Sequence, residues 1–282
     1  MITSSSNIFC VIGNPIKHSK SPVIHNFIFN RLGIDAVYVA FEVKDLETFF
    51  KFMRDVGISG VSITIPHKVE SLKHVDWVDE VAKKIGAINT IKNEQGYLKG
   101  FNTDVEGILK AFEVRGITSL KGKFSLVLGT GGVARSTIHS LILLGTEKVV
   151  IAGRTLDKLS YLVEEVRSFF KNVDGVSFDK VGELIKVGVD VVANCTPLGM
   201  FPEVQVAPID LSLINSNHIV FDTIYTPIET RLIKVAKEVG AKVIYGIDMF
   251  VFQALAQQKI WLNREDVFVL KDEVIDLLNG FR

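Results

Sequence analysis

The fold is decided by residues 126–135, LVLGTGGVAR, in which an apolar strand runs into a glycine-rich turn and a following helix. Gly129, Gly131 and Ala134 fit the pattern Gly-x-Gly-x-x-Ala. Such a turn lets the backbone approach a pyrophosphate, whose charge is met by N–H groups at the helix start. The strand before the turn and the helix after it favour a dinucleotide site over an ordinary strand–helix turn, which is the alternative interpretation.

The next apolar strand, 148–152, indicates which dinucleotide is bound. NAD-binding folds usually carry an acidic residue at the end of this strand, to hold the ribose hydroxyls. Here the strand is followed instead by Arg154, Thr155 and Lys158. A guanidinium can stack on adenine and pair with a 2′-phosphate, so the sequence favours NADP. The alternative is that Arg154 and Lys158 form a solvated helix start.

Short apolar runs alternate with amphipathic helical stretches on both sides of this turn. Continuous apolar runs are typical of parallel strands covered by helices on both faces. The sequence therefore predicts an α/β fold with a doubly wound, Rossmann-like sheet in its second half. The predicted strands are 7–13, 36–43, 60–66, 87–92, 97–101, 124–128, 148–152, 176–178, 189–195, 218–223 and 242–245, with a helical region from 67 to 86 and a helical end from 247.

Length and charge limit the classes of protein to consider. The 282 residues are enough for two domains, and 32 basic against 32 acidic residues give no net charge, which argues against a nucleic-acid or acidic-membrane binder. No apolar run approaches the roughly 20 residues of a membrane span, and the start of the chain does not resemble a signal peptide. We expect a cytoplasmic protein whose two cysteines, Cys10 and Cys195, stay reduced.

Polar side chains gather where the apolar strands of the first half end. Hydroxyls, amides, a lysine and a carboxylate at the carboxyl ends of strands would suit a small polyhydroxylated anion. The alternative is that these residues are helix caps and turn residues. Metal catalysis is not expected, because the six histidines show no ligand spacing, and no Gly-x-Ser-x-Gly elbow suggests a serine hydrolase. The residues concerned are Ser19, Ser21, Ser62, Thr64, Lys68, Asn89, Thr90, Asn102, Thr103 and Asp104.

The chain resembles the shikimate dehydrogenase family in ordered blocks that cover nearly its whole length. Departures from the family pattern are Ser62 for Asn, His67 for Phe, Gly153 for Asn and Thr130 for Ala. The change at Gly153 removes a polar side chain beside the proposed 2′-phosphate pocket. The blocks are 13–26 (GNPIKHSKSPVIHN), 62–68 (SITIPHK), 86–90 (GAINT), 100–104 (GFNTD), the glycine turn, Arg154–Thr155, 194–200 (NCTPLGM), 225–230 (YTPIET) and 246–254 (GIDMFVFQA).

The resemblance implies reversible, NADPH-dependent reduction of 3-dehydroshikimate to shikimate in aromatic amino acid (chorismate) biosynthesis. Lys68 matches the catalytic lysine, paired with Asp104. The residues matching substrate ligands are Ser19, Ser21 and Tyr225 for the carboxylate, and Thr64, Asn89, Asp104 and Gln253 for the ring hydroxyls. Those matching NADP ligands are Gly129, Thr130, Gly131, Gly132, Val133, Arg154, Thr155, Lys158, Ile224 and Gly246, with Glu80 near the nicotinamide.

The resemblance also implies a discontinuous substrate domain, 1–103 with 248–282, around an NADP domain, 104–247. A monomer or a homodimer is expected. A carboxylate beside a lysine stabilises the ammonium, so Lys68 suits the role of acid in ketone reduction, while in the reverse direction either Lys68 or Asp104 could hold the proton. The other functions considered are a quinate/shikimate dehydrogenase of broader substrate and cofactor use, and a ligand-sensing regulator without turnover.

Overall fold

A computed structural model describes residues 2–280. They form two units, 2–107 together with 251–280, and 108–250. The division predicted from the sequence, 1–103 with 248–282 and 104–247, remains a prediction.

The first unit contains a mixed six-stranded sheet in the order β2-β1-β3-β5-β6-β4. Strand β1 pairs in parallel with both β2 and β3, whereas β5 pairs antiparallel with β3 and β6. Because β1, β2 and β3 are parallel, their carboxyl ends meet at one edge of the sheet. The strands are β1 (Asn7–Gly13), β2 (Ala36–Glu42), β3 (Gly60–Ile63), β4 (Trp77–Val78), β5 (Thr90–Glu94) and β6 (Tyr97–Phe101).

Helices α1 (Ser21–Leu32), α2 (Leu46–Val56) and α3 (Glu80–Ile85) follow β1, β2 and β4. Asp45 caps α2 by accepting from the N–H of Glu47 at 3.0 Å. Reading Ser21 as the cap of α1 was wrong: the helix begins at Ser21 itself, Lys20 occupies the cap position, and the Lys20 side chain does not cap the helix.

The helical region predicted over 67–86 is helical only in part. This segment contains a 3-10 turn, Glu70–His74, then β4, and only then α3. Strand β4 pairs with β6, and Asp76 beside it accepts from the N–H of Leu98 at 2.7 Å. Pairing with a distant strand decides the structure of this segment, and this pairing cannot be recognised from the local sequence pattern.

The second unit is built on an all-parallel six-stranded sheet in the order β12-β11-β10-β7-β8-β9, which confirms the predicted doubly wound fold. The chain moves outward from β7 through β8 to β9, then crosses back to β10 on the other side of β7. Ligands of such sheets bind at this switch point, outside the carboxyl ends of the strands. The strands are β7 (Phe124–Leu128), β8 (Lys148–Gly153), β9 (Val173–Ser177), β10 (Val191–Asn194), β11 (Ile219–Asp222) and β12 (Lys242–Tyr245).

Alternation along these strands gives the sheet an apolar core on each face. Val127 and Ile151 belong to one buried cluster, and their neighbours Leu126 and Val150 belong to the other. The remaining helices are α4 (Asp104–Val114), α5 (Gly132–Leu143), α6 (Leu156–Arg167), α7 (Val181–Lys186), α8 (Arg231–Glu238), α9 (Gly246–Leu262) and α10 (Lys271–Gly280). Across residues 2–280, none of the helices has the length and apolar character needed to cross a bilayer.

Candidate functional site

The polar centre of the first unit is an ion pair between Lys68 and Asp104, in which the ammonium donates to Oδ2 of the carboxylate. The side chain of Asp104 is only 3% exposed and that of Lys68 14% exposed. Asp104 begins α4, where the helix dipole favours a negative charge. Lys68 follows the turn after β3, and its carbonyl accepts from the N–H of Ile88 at 2.9 Å. A nearly buried ammonium is thus held at a sheet edge.

Asn89 holds the second oxygen of that carboxylate. Its Nδ2 lies 2.8 Å from Oδ1 of Asp104, 2.9 Å from Oγ1 of Thr103 and 3.4 Å from Oε1 of Gln253. The amide oxygen of Asn89 accepts from the N–H of Thr103 at 2.8 Å and from the hydroxyl of Thr90 at 2.7 Å. Each oxygen of Asp104 therefore has a partner of its own, and the orientation of the carboxylate is fixed.

A buried hydrogen-bond network on α9 supports Asn89. Gln257 donates from Nε2 to the carbonyl of Asn89 at 3.1 Å and to the hydroxyl of Thr90 at 3.0 Å. Its Oε1 accepts from Ser62 at 2.8 Å, and Ser62 accepts from the hydroxyl of Tyr38 at 2.5 Å. Sequence reasoning missed Gln257 as part of the site. No signal in the sequence set it apart, because α9 contains other polar residues besides Gln257.

Three candidate hydroxyls follow the carboxyl ends of β1 and β3. The N–H of Ser21 donates to Oγ of Ser19 at 3.3 Å, which leaves the O–H of Ser19 to donate elsewhere. The side chain of Thr64 lies against Gly13, because a Cβ added there would be 2.5 Å from the Thr64 methyl. Ser21 is buried at the start of α1. Since β1 and β3 are parallel neighbours, Ser19, Ser21 and Thr64 belong to the same edge of the sheet.

Two further predicted residues have different surroundings. Glu80 is exposed in the first turn of α3 and forms an ion pair with Lys83 at 2.6 Å. Tyr225 lies in the second unit, where its ring stacks on Phe250 with centroids 4.0 Å apart. The assignment of Glu80 to the nicotinamide and of Tyr225 to the substrate carboxylate stays a prediction.

In the second unit, the glycine turn joins β7 to α5. Gly129 has a φ of +115°, and a Cβ there would lie 3.0 Å from the carbonyl oxygen of Cys195, so no other residue fits without strain. Gly131 is the cap residue of α5, and no side chain caps the helix or places an acid in its first turn. The N–H groups at the start of α5, from Gly132 and Val133 onward, are arranged to receive a phosphate.

The residues predicted to bind the 2′-phosphate follow the end of β8. Arg154, Thr155 and Lys158 are exposed at the start of α6. Neither Arg154 nor Lys158 forms an ion pair with any residue between 2 and 280. By contrast, Arg135 is paired with Glu165 at 2.7 Å. Exposed cations at a strand end, beside an uncapped helix start and a glycine turn, fit a phosphorylated dinucleotide.

Asp222 organises the loops at the ends of β10 and β11. It is fully buried and accepts from the hydroxyl of Thr230 at 2.7 Å, the N–H of Ile224 at 3.1 Å and Nδ2 of Asn194 at 3.1 Å. Gly246 lies beside this group, and a Cβ there would be 2.7 Å from the carbonyl oxygen of Asp222. Sequence reasoning missed Asp222 and Asn194. The signal was a polar residue ending each of two apolar strands.

The ionisation of Asp222 makes stability depend on pH. Burial raises the pKa of its carboxyl to about 6 from the ordinary 3.8, against three hydrogen bonds that lower it. Because the folded pKa is the higher one, this group's stabilisation is complete below about pH 4 and is lost as the pH rises through about 6. We expect the unfolding free energy of the wild type to fall relative to Asp222→Asn by roughly 3 kcal/mol over that interval.

Urea unfolding of both proteins across this interval measures the effect, with the exposed Asp157→Asn as control. A constant difference between the wild type and Asp222→Asn would contradict the expected titration of Asp222.

No group of three or more His, Cys, Asp or Glu side chains suited to a metal ion occurs in the part of the chain that the structure describes. The first unit contains an ammonium–carboxylate pair with amides and hydroxyls, and the second contains a candidate dinucleotide site.

Comparison with known proteins identifies the family. Residues 11–91 match the model of the shikimate dehydrogenase substrate binding domain, and residues 112–199 match the shikimate / quinate 5-dehydrogenase model. A relative from Caldanaerobacter subterraneus subsp. tengcongensis, named shikimate dehydrogenase (NADP(+)), is 38% identical, with 99% of each chain covered.

Two solved structures are also similar over nearly the whole chain. The Thermus thermophilus shikimate 5-dehydrogenase in complex with NADP(H) and shikimate has a TM-score of 0.81 at 32% identity, covering 96% of this chain and 99% of its own. The Corynebacterium glutamicum quinate dehydrogenase in complex with NAD has a TM-score of 0.87 at 28% identity, with the same coverage of 96% and 99%. With both family models matched in order and a relative aligned almost end to end, this chain belongs to the shikimate dehydrogenase family.

Proposed function

We propose that this protein is an NADP-dependent oxidoreductase that interconverts 3-dehydroshikimate and shikimate, the step that serves aromatic amino acid biosynthesis. The observation that carries the proposal is the Lys68–Asp104 pair, held by Asn89 at a sheet edge lined with hydroxyls. Its unit matches a substrate binding domain of this family, and the other unit has the features of an NADP site.

Lys68 is the group that handles charge and proton at the reacting oxygen. NADPH, when bound, supplies the hydride that reduces the ketone carbon. As the carbonyl oxygen gains negative charge, an adjacent ammonium stabilises it and can donate a proton to it. In the direction of shikimate oxidation, the same nitrogen or the carboxylate of Asp104 takes the proton from the hydroxyl.

Asp104 and Asn89 keep that ammonium in one place. Lys68 has a long flexible side chain, and holding it before reaction removes an entropic cost from the barrier. Asp104 can do this because Asn89 and the start of α4 fix its own orientation. The same carboxylate and amide, with Thr64 and Gln253, are suited to bind the ring hydroxyls of the substrate.

Ser19 and Ser21 are assigned to the substrate carboxylate. For Ser19→Ala combined with Ser21→Ala, we expect a higher KM for shikimate and unchanged NADP+ affinity. These hydroxyls should bind the carboxylate equally in the ground and transition states, so KM rises before kcat falls. Steady-state kinetics and thermal melting of the double variant measure this.

The interpretation of Ser21 as a helix-start residue without a ligand makes a different prediction for the double variant. Loss of a side chain that only stabilises the helix start costs about 1 kcal/mol of stability, as loss of a cap does, and leaves KM unchanged. A lower melting temperature with a normal KM would therefore contradict the carboxylate assignment.

Apart from Glu80, the residues assigned to NADP all lie in the second unit. Gly129, Thr130, Gly131, Gly132 and Val133 are assigned to NADP at the glycine turn, where backbone N–H groups would meet the pyrophosphate. A further group, at the ends of β8, β11 and β12, would contact the rest of NADP; it consists of Arg154, Thr155, Lys158, Ile224 and Gly246.

A quinate/shikimate dehydrogenase with broader cofactor use is the second candidate, since a quinate dehydrogenase bound to NAD has the same fold. Steady-state kinetics with shikimate and quinate, each with NADP+ and NAD+, decides between the two. We expect kcat/KM to be highest for shikimate with NADP+. Comparable values for quinate, or for NAD+, would favour the broader enzyme, and no turnover with any pair would favour a ligand-sensing regulator.

We also propose that the enzyme acts in the cytoplasm as a monomer or homodimer, and that its substrate domain is 1–103 with 248–282. A reducing compartment is consistent with Cys10 and Cys195, which are both buried and form no disulfide within residues 2–280. Sedimentation of the purified chain would determine the oligomeric state.

A further inference from the structure

At Gly153, the last residue of β8, neighbouring side chains leave no room for a Cβ atom. Its φ lies outside the left-handed region, so the backbone does not require glycine there. A Cβ at this position would lie 2.9 Å from the methyl carbon of Thr130 and 3.2 Å from Cβ of Leu159. The first distance is shorter than real Cβ contacts, so the Thr130 methyl occupies the volume that a side chain at position 153 would need.

Packing of this methyl restricts the rotamer of Thr130. A threonine has only three staggered rotamers, and the contact of the methyl with Gly153 restricts which of them Thr130 adopts. The side chain is half-buried in the glycine turn, and its hydroxyl makes no hydrogen bond to any other residue in the range 2–280. The result is a donor without an acceptor among these residues, inside a phosphate-binding turn.

The strand register places Thr130 close to the residues predicted to bind the 2′-phosphate. Strands β7 and β8 are parallel neighbours with Leu128 opposite Ala152, so the next residues of both strands emerge side by side. Thr130 thus belongs to the same stretch of sheet edge as Gly153 and Arg154. An O–H donor beside a guanidinium is a suitable pair for a phosphate oxygen.

We propose that Thr130 is a specificity-determining residue that donates a hydrogen bond from its hydroxyl to the 2′-phosphate of NADP, and that Gly153 is the positioning residue that makes room for it. The inference rests on the proposed use of NADP. In the sequence, Gly153 stands where the family pattern has Asn, so a polar side chain is missing beside this pocket. The contact with Thr130 supplies a polar group from the neighbouring turn.

Calorimetric titration of NADP+ and NAD+ into the full-length protein tests the proposal. Thr130→Val keeps the methyl against Gly153 and removes only the hydroxyl, and we expect it to weaken NADP+ binding about 10-fold or more while NAD+ changes less than about twofold. Thr130→Ser, which keeps the hydroxyl, is the matched control and should lose much less NADP+ affinity. Melting temperatures establish that each variant is folded.

Gly153→Ala tests the positioning role. We expect a lower melting temperature and weaker NADP+ binding, and smaller losses when the same change is made in the Thr130→Ser background, where the clashing methyl is absent. Equal effects of Gly153→Ala in both backgrounds would overturn the role of Gly153 as the residue that makes room for Thr130.

The nucleotide comparison separates this inference from the proposed function. Equal losses of NADP+ and NAD+ affinity in Thr130→Val, or no loss of either, would overturn the assignment of Thr130 to the 2′-phosphate while leaving NADP as the cofactor. A wild type that binds NAD+ as tightly as NADP+ would overturn the cofactor assignment itself, and the inference with it.

Discussion

Replacing Lys68 with alanine is expected to lower kcat at least about 100-fold, the lower end for general acid–base catalysis, with a much smaller change in KM for shikimate. The physical reason is that the ammonium is needed most when negative charge develops on the carbonyl oxygen. Its surroundings support this role, because the Lys68 side chain is nearly buried and its partner Asp104 is held in turn by Asn89.

Steady-state kinetics with saturating NADP+ measures this effect. Lys73→Ala is the matched control, since Lys73 lies five residues further along the chain, is exposed, and within residues 2–280 forms an ion pair with Glu70 alone. Removal of Lys68 leaves the buried Asp104 without its cation, so the melting temperature and NADP+ affinity of the variant must also be measured. A folded Lys68→Ala protein with more than half the wild-type kcat would remove Lys68 from the mechanism.

Replacing Arg154 with alanine is expected to weaken NADPH binding by roughly 10–150-fold and to leave NADH binding nearly unchanged. Only NADPH carries the 2′-phosphate, and a hydrogen bond between charged groups at a partly exposed site accounts for a loss of this size. The absence of any ion pair to Arg154 within residues 2–280 fits a guanidinium directed at a ligand.

Titration of both nucleotides into Arg154→Ala measures this difference. Arg167→Ala is the matched control, because Arg167 lies at the other end of α6 and already forms an ion pair with Glu164. Equal losses for NADPH and NADH would mean that Arg154 only stacks on the adenine. Unchanged binding of both would favour a solvated side chain.

The second unit was predictable from the sequence in most of its strands. Parallel strands that are buried on both faces appear in the sequence as continuous apolar runs. The predicted bounds of β7 (124–128) and β12 (242–245) are those of the structure. The two-residue β4 was not predictable. It has no periodicity of its own and forms through its pairing with β6.

The residues of the candidate site were predictable where a polar side chain stands at the end of an apolar run. Lys68, Asn89 and Asp104 stand out as polar residues at the ends of apolar runs, and the structure brings them into contact. Gln257 was not predictable, because its partner Asn89 lies 168 residues earlier in the chain. Hydrogen bonds between such distant residues follow from the fold and leave no local pattern.

The pair of Thr130 and Gly153 shows the same limit in the cofactor site. Each residue departs from the family pattern, and in the sequence the two departures look independent. In the structure they are one feature, since the methyl of Thr130 lies where a side chain on Gly153 would be. A compensating contact between two turns can be recognised only when the register of β7 and β8 is known.

Reduction of 3-dehydroshikimate by this chain with NADPH can be measured directly. The most direct measurement mixes the purified full-length protein with both compounds and follows NADPH consumption together with shikimate formation, using NADH, and protein without 3-dehydroshikimate, as controls. We expect one shikimate formed for each NADPH consumed, with slower turnover from NADH and none without substrate. If folded protein that binds NADPH consumed none of it in the presence of 3-dehydroshikimate, the chain would not be the reductase proposed.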